Sequence, residues 1–157
     1  MIKNYLWIFL ISMVPLIELR GAIPVSQALQ MPIIPSYIVS IIGNMLPVPV
    51  IYFFARKVLE WGADKKFIGK IFTAILVKGT NAGQKIQEKA GRGFFIALFL
   101  FVGIPLPGTG AWTGTLAASL LGLSFKETVI AVILGVLLAG LIMMAGSFGL
   151  FSALFAI

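Results

Sequence analysis

Cysteine and histidine are both absent from the 157 residues. Without thiols there is no disulfide framework and no thiol nucleophile, and without either residue the common zinc sites cannot be assembled. Any proton-coupled step must then use a carboxylate, because the imidazole that titrates near neutrality is missing. Carboxylates are also scarce: five Asp and Glu stand against twelve Lys and Arg, for a net charge of +7. With one acid, Glu18, inside the apolar runs, no nucleophile–base pair or metal cluster can be built, so neither an enzyme nor a cofactor is expected.

What fills the chain instead is apolar: 60% hydrophobic residues and 11% charged, with a mean hydropathy of +1.08. A water-soluble domain of this size cannot bury so much apolar surface, which predicts an all-α polytopic membrane protein. A β-barrel needs alternation of apolar and polar positions, whereas these runs are apolar on every face. Nine of the twelve basic residues lie between Arg56 and Arg92. Under the positive-inside rule this is a cytoplasmic segment, and it is topology rather than a nucleic-acid partner that the charge reports. The start, "MIKNYLWIFLISMVPLIE", has the Lys and apolar run of a signal peptide but no small-residue cleavage site, so it is expected to stay in the mature protein.

The expected organisation is a single integral membrane domain over 1–157: a first repeat at about 1–55, a cytoplasmic segment at about 56–92, and a second repeat at about 93–157. Residues 4–17 form an apolar run too short to span as a helix. "ELRGAIPVSQALQMPIIPS" follows, interrupted by Pro24, Pro32 and Pro35. Residues 36–55 can span, kinked at Pro47 and Pro49. The 33 uncharged residues from Gly93 are interrupted by Pro105, Pro107, Gly108 and Gly110, and 128–157 is a last apolar run with an expected break near Gly146 and Gly149. The halves share this order, and a shift of 89 residues lays "GAIPVSQAL" over "GAWTGTLAA". Each half therefore reads as a re-entrant helical hairpin plus a transmembrane helix, in inverted orientation, which leaves Lys3 outside and Lys126 and Glu127 in the cytoplasm. Ile68, Ile71, Phe72, Ile75 and Leu76 follow helical spacing in the segment between, predicting an amphipathic helix on the headgroups.

Two constellations could carry chemistry. The first is Glu18, Arg20, Gly21 and Pro24. An ionised side chain at the bilayer centre costs about 2.5–3.5 kcal/mol on insertion scales, so it persists when paired or functional. Positions two apart on a helix point to different sides, so a direct Glu18–Arg20 contact requires unwound backbone, which Gly21 and Pro24 permit. The alternative is that both sit at an interface, at the end of a short helix. The second is "GIPLPGTGAWTG": Pro105 and Pro107 remove donors, Gly108 and Gly110 allow turning, Thr109 and Thr113 supply hydroxyls, and Trp112 an aromatic face and an N–H. A half-helix beginning here would aim free N–H groups at the midplane; small-residue packing of Gly110 on Gly114 is the plain alternative. Asn44 and Ser40, one turn apart, either line the same cavity or make interhelical hydrogen bonds.

"ELRGAIP" with the later "IPLPGTGAWTGTLAA" resembles the family of small multidrug export proteins over nearly the whole chain. That family is in turn similar to the DedA-like (VTT-domain) membrane proteins. The resemblance implies two facing re-entrant hairpins and movement of polyprenyl-phosphate or other lipids, with Glu18 matching the acidic residue near the first hairpin. DedA-like proteins typically carry arginines at the second hairpin too, whereas this chain has none between Gly93 and Phe125, leaving Arg20 as the one intramembrane cation.

The expected function is a small carrier in a prokaryotic cytoplasmic membrane. It would move a lipophilic or lipid-phosphate substrate, with membrane lipids as surroundings, proton coupling through Glu18, and a second copy as a homodimer partner. The competing expectation is a membrane-organising or assembly protein whose hairpins are a packing device.

Overall fold

The computed structural model describes residues 2–65, 69–90 and 93–155, and among them every regular element is helical. The first half contains α1 (Ile2–Met13), α2 (Glu18–Ala28), α3 (Ile33–Met45) and α4 (Pro47–Ala63). After α5 (Gly69–Ala90) come α6 (Gly93–Gly103), α7 (Ala111–Leu120) and α8 (Phe125–Phe155).

α3 and α4 form one 31-residue apolar run, Ile33–Ala63, about 46 Å long at 1.5 Å per residue. Pro47 and Pro49 lie at the first turn of α4, where missing N–H groups are best tolerated, so they mark a joint at Leu46 without ending the run. The second long apolar stretch is Phe125–Ser147 of α8. Only 28% and 33% of the apolar windows of these runs are buried in the protein, and Ile34, Ile38, Ile42, Phe53, Phe54, Leu134 and Leu141 face outward. They are not core helices of a water-soluble fold; their outer faces suit hydrocarbon. The expected break at Gly146 and Gly149 does not occur, because the α8 hydrogen-bond ladder continues through both.

The other membrane-type helices are short. α1, α2, α6 and α7 have 12, 11, 11 and 10 residues, about half of what the ~30 Å hydrocarbon core requires. α1 packs on α2 and α3, α6 on α7 and α8, while α2 also packs on α8 and α7 on α4. Each short second helix thus touches the long helix of the other half. The core joins Leu19 and Ile23 of α2, Val48 of α4, Leu98 and Val102 of α6, Ala111 and Ala118 of α7, and Val132 and Val136 of α8. Tyr37 Oη donates to the Leu137 carbonyl at 2.9 Å, tying α3 to α8, and Ser119 Oγ donates to the Tyr52 carbonyl at 2.7 Å, tying α7 to α4.

The capping hydrogen bonds of the two halves correspond at a shift of 92 residues, whereas the sequence match lies at 89. Met31 N–H donates to Ser26 O and Gln30 N–H to Gln27 O; Leu123 N–H donates to Ala118 O and Gly122 N–H to Ser119 O. Both are Schellman caps, with the left-handed residue at Gln30 (φ 52°) and Gly122 (φ 74°). The next helices begin in step, with Ser36 N–H on Pro32 O and Thr128 N–H on Ser124 O. Residue identity could not fix this register, because the shared signal is backbone capping and the left-handed position is Gln in one half and Gly in the other.

Between the halves lies α5. Phe72 packs into the notch at Gly62, where a Cβ would lie 2.2 Å from its ring, but Ile71 and Ile75 are exposed. Ile68 lies outside the described residues.

Candidate functional site

The site is built where the two short-helix pairs meet. Between α1 and α2 the chain turns through Val14–Ile17, with Leu16 at φ 70° and Glu18 at φ 51°. Left-handed backbone at such residues stores of order 1–3 kcal/mol and persists where the surroundings enforce it. Glu18 N–H donates to Val14 O at 3.0 Å and Gly21 N–H to Ile17 O at 3.0 Å, so α2 is helical from Glu18 onward. The turn ends at Glu18, itself left-handed, and lies before Arg20 and not at Gly21 or Pro24. Gly21 and Pro24 lie inside α2 and do not unwind it. No ion pair joins Glu18 to Arg20; among the described residues the salt bridge formed is Arg56–Glu60. Helical spacing sends the two side chains to different partners.

Glu18 reaches the start of α7. Its Oε2 accepts the Ala111 N–H at 3.1 Å and its Oε1 the Trp112 N–H at 3.0 Å. α7 has no capping side chain of its own, because its N-cap is Gly110. A carboxylate from the other half takes that place, satisfying two orphan donors and complementing the positive end of the helix dipole. Gly110 is required twice over: its φ is 144°, and a Cβ there would lie 2.2 Å from Glu18 Oε2. Glu18 itself is 3% exposed.

Arg20 reaches the end of α6. Its guanidinium donates to the carbonyls of Val102 (3.3 Å), Ile104 (3.2 Å) and Leu106. Gly103 ends the helix and Pro105 and Pro107 contribute no N–H; the Ile104 and Leu106 carbonyls also accept the Leu106 N–H (2.8 Å) and the Thr109 N–H (3.2 Å). A cation at the negative end of the dipole completes the complement to Glu18. Thr109 Oγ1 lies 2.9 Å from both the Ile104 and Leu106 carbonyls, closing the same loop. The Trp112 indole N–H donates to the Met13 carbonyl, the last residue of α1, at 3.1 Å.

Beside these contacts is a cavity of about 230 Å³ lined by Pro15, Leu16, Glu18, Ile51, Thr109, Trp112, Thr113 and Leu116. Its one charged lining group is Glu18, and the Thr113 hydroxyl beside it is buried without a protein partner.

The expected site residues therefore divide. Glu18, Thr109, Trp112 and Thr113 share the cavity, with Gly110 packed against Glu18. Arg20 holds the Pro105–Pro107 loop, Pro107 is exposed, and Gly108 (φ 82°) is an exposed turn where a Cβ would meet nothing within 4 Å. Asn44 is buried on α3 and does not line the cavity. Met13, Ala111, Ile51 and Leu116 were not legible as site residues: two act through backbone groups and two through apolar surface. A helix preceded by Gly110 rather than a capping side chain was the available signal. Among the described residues no cluster of three or more His, Cys, Asp or Glu could hold a metal.

Comparison with curated proteins and with solved structures gives no match. The family model described as "Putative small multi-drug export protein" matches residues 18–142, a stretch that starts at Glu18 and takes in both short-helix contacts. By that match, the chain belongs to the small multidrug export protein family.

Proposed function

We propose that this protein is a small membrane carrier whose substrate sits in the cavity beside Glu18, between the two chain breaks. The observation that carries the reading is the cavity itself: apolar walls from Pro15, Leu16, Ile51, Trp112 and Leu116, one carboxylate, and one unpartnered hydroxyl. Such a lining suits a lipophilic molecule that is cationic or bears a hydrogen-bond donor. A lipid phosphate is served less well, since Arg20 is engaged by three carbonyls. Family membership supports a transporter-type role in general.

In this reading α1–α2 and α6–α7 are re-entrant hairpins of two inverted repeats, as in DedA-like proteins, with the basic segment 56–92 in the cytoplasm of a prokaryotic cell. Their half-span lengths and the repeated caps support that reading. The Glu18 and Arg20 contacts hold the hairpins together, so exchange between two accessible states must loosen them. A proton on Glu18 would turn one acceptor oxygen into a donor and release one α7 N–H, which makes Glu18 the coupling group. A second copy completes the wall around the half-depth helices. No chemical conversion of the substrate is involved.

A second reading is favoured by one observation: both charged side chains are engaged in capping, as a pure packing device would have them. The protein would then organise membrane lipids or partner proteins without flux. Liposomes holding purified protein separate the two readings. The carrier should move a labelled lipophilic cation faster than empty liposomes do, and Thr113→Leu, which fills the cavity without touching either cap, should abolish the excess. Equal rates with and without protein, for the cation and for a polyprenyl phosphate alike, would leave the packing reading standing.

A further inference from the structure

The repeat exposes an asymmetry in the buried seams between helices. The buried stripe is Ser36, Ser40, Gly43 and Asn44 on α3, continued by Pro47 and Val48 at the start of α4; at a shift of 92, α8 presents Thr128, Val132, Gly135, Val136, Ala139 and Gly140, all buried. The glycines correspond in packing as well as in number. A Cβ on Gly43 would meet Ser12 Oγ at 2.1 Å and Phe9 O at 2.6 Å, while one on Gly135 would meet Val102 Cβ at 2.6 Å and Phe99 O at 2.9 Å. Ser12 on α1 thus does for α3 what Val102 on α6 does for α8. Val102 answers Ser12 at a shift of 90, by their contacts with the two glycines, while Val132 and Val136 answer Ser40 and Asn44 at 92.

Packing alone does not call for these oxygens, because the second half fills the same places with methyl groups. They are not consumed by hydrogen bonding either. Ser40 Oγ and Asn44 Oδ1 are buried, at 0% and 2% residue exposure, and have no partner. The Ser12 hydroxyl gives its one proton to Phe9 O at 2.7 Å, which leaves its lone pairs for the side facing Gly43. Pro47 has no N–H, so the Gly43 carbonyl lacks its usual intrahelical donor. Ser40 and Asn44 therefore leave buried polar atoms unsatisfied, which is costly in a membrane interior.

We infer that the α1–α3 seam is a binding site for a small monovalent cation, held by neutral oxygens of Ser12, Ser40 and Asn44 together with the Gly43 carbonyl. Hard oxygen donors are the ligands that alkali cations take, and neither α1 nor α3 contains a carboxylate that would favour a divalent ion. The site lies behind the hairpin whose turn carries Glu18, on the faces of α1 and α3 that hold the hairpin to the long helix. A cation there would fix α1 on α3 and so bias the hairpin position. That consequence rests on the carrier reading; the binding does not.

Binding is therefore tested without transport. Full-length protein in detergent is unfolded by heat in NaCl, KCl, LiCl and choline chloride at equal ionic strength, and binding of radioactive sodium is measured directly. The expected result is saturable sodium binding and a higher unfolding temperature in NaCl than in choline chloride. Asn44→Val and Ser40→Val, which install the second-half residues, should weaken sodium affinity by roughly tenfold or more and remove the NaCl effect, while Thr128→Val should retain it. If Asn44→Val does not fold, Ser40→Ala and Ser12→Ala carry the same expectation. No saturable binding of any of the three alkali cations to the wild type, or binding unchanged in the seam variants, overturns the inference and leaves the seam to water or interhelical hydrogen bonding. A flux failure alongside intact sodium binding would count against the carrier reading alone.

Discussion

Arg20 and Trp112 stand at equivalent places in the two halves, and each donates to the end of the first helix of the other half. Arg20 takes the carbonyls of Val102 in the last turn of α6 and of Ile104 and Leu106 just beyond it, and Trp112 Nε1 takes the carbonyl of Met13, the last residue of α1. The equivalent pair two residues earlier, Glu18 and Gly110, are packed against each other. The two halves are therefore clasped reciprocally, with the carboxylate at the centre.

The Arg20 side of the clasp should depend on the guanidinium fork and not on charge alone. Arg20→Lys keeps the charge but presents a single ammonium to three divergent carbonyls, and is expected to lose about 1–3 kcal/mol. Trp112→Phe removes one hydrogen bond while keeping the ring, for about 1 kcal/mol. Unfolding in detergent, monitored by tryptophan fluorescence or by protease resistance for the Trp112 variant, reads both. Arg20→Lys as stable as wild type would mean that the carbonyl contacts contribute nothing net.

Glu18→Gln preserves shape but places an amide NH₂ against one of the two α7 donors. The expected loss is about 2 kcal/mol, with faster amide exchange at Ala111 and Trp112. Unchanged exchange at those two amides would show that the cap is not held by the carboxylate.

At Gly110, even one methyl group should be harmful. Gly110→Ala meets a left-handed φ and drives a Cβ to 2.2 Å from Glu18 Oε2, so it should cost at least as much as Glu18→Gln. Combined with Glu18→Ala the steric part should vanish, leaving a clear non-additive term in a double-mutant cycle.

Gln30 offers the opposite case. It occupies the left-handed cap position that is Gly122 in the second half. Gln30→Gly should raise stability by about 0.5–1 kcal/mol, because it removes strain that glycine does not feel. A loss of stability would show that the Gln30 side chain has a role that outweighs its backbone.

Much of the fold was legible. The apolar runs, the spanning capacity of the stretch around residues 36–55, the short first run and the break at Pro105–Gly110 all follow from hydropathy and from residues that lack a donor or a Cβ. The importance of Glu18 and Arg20 was legible from their cost in hydrocarbon. Their partners were not. A pair two residues apart suggests mutual contact, but helical geometry separates the side chains, and the groups they meet are backbone N–H and C=O, which every residue carries and no residue type announces. Ser40 and Asn44 were legible as neighbours by helical spacing, whereas the approach of Ser12 to Gly43 comes only from the packing of α1 on α3.

The sequence by itself determined the class, the helical content, the position of the breaks and the location of the scarce charges, because these depend on local propensity and on the cost of placing polar groups among apolar ones. Only the tertiary structure decided the capping pattern of the short helices, the exchange of caps between halves and the cavity beside Glu18. Those depend on which unsatisfied helix ends face one another, and that is a property of packing, not of any one segment.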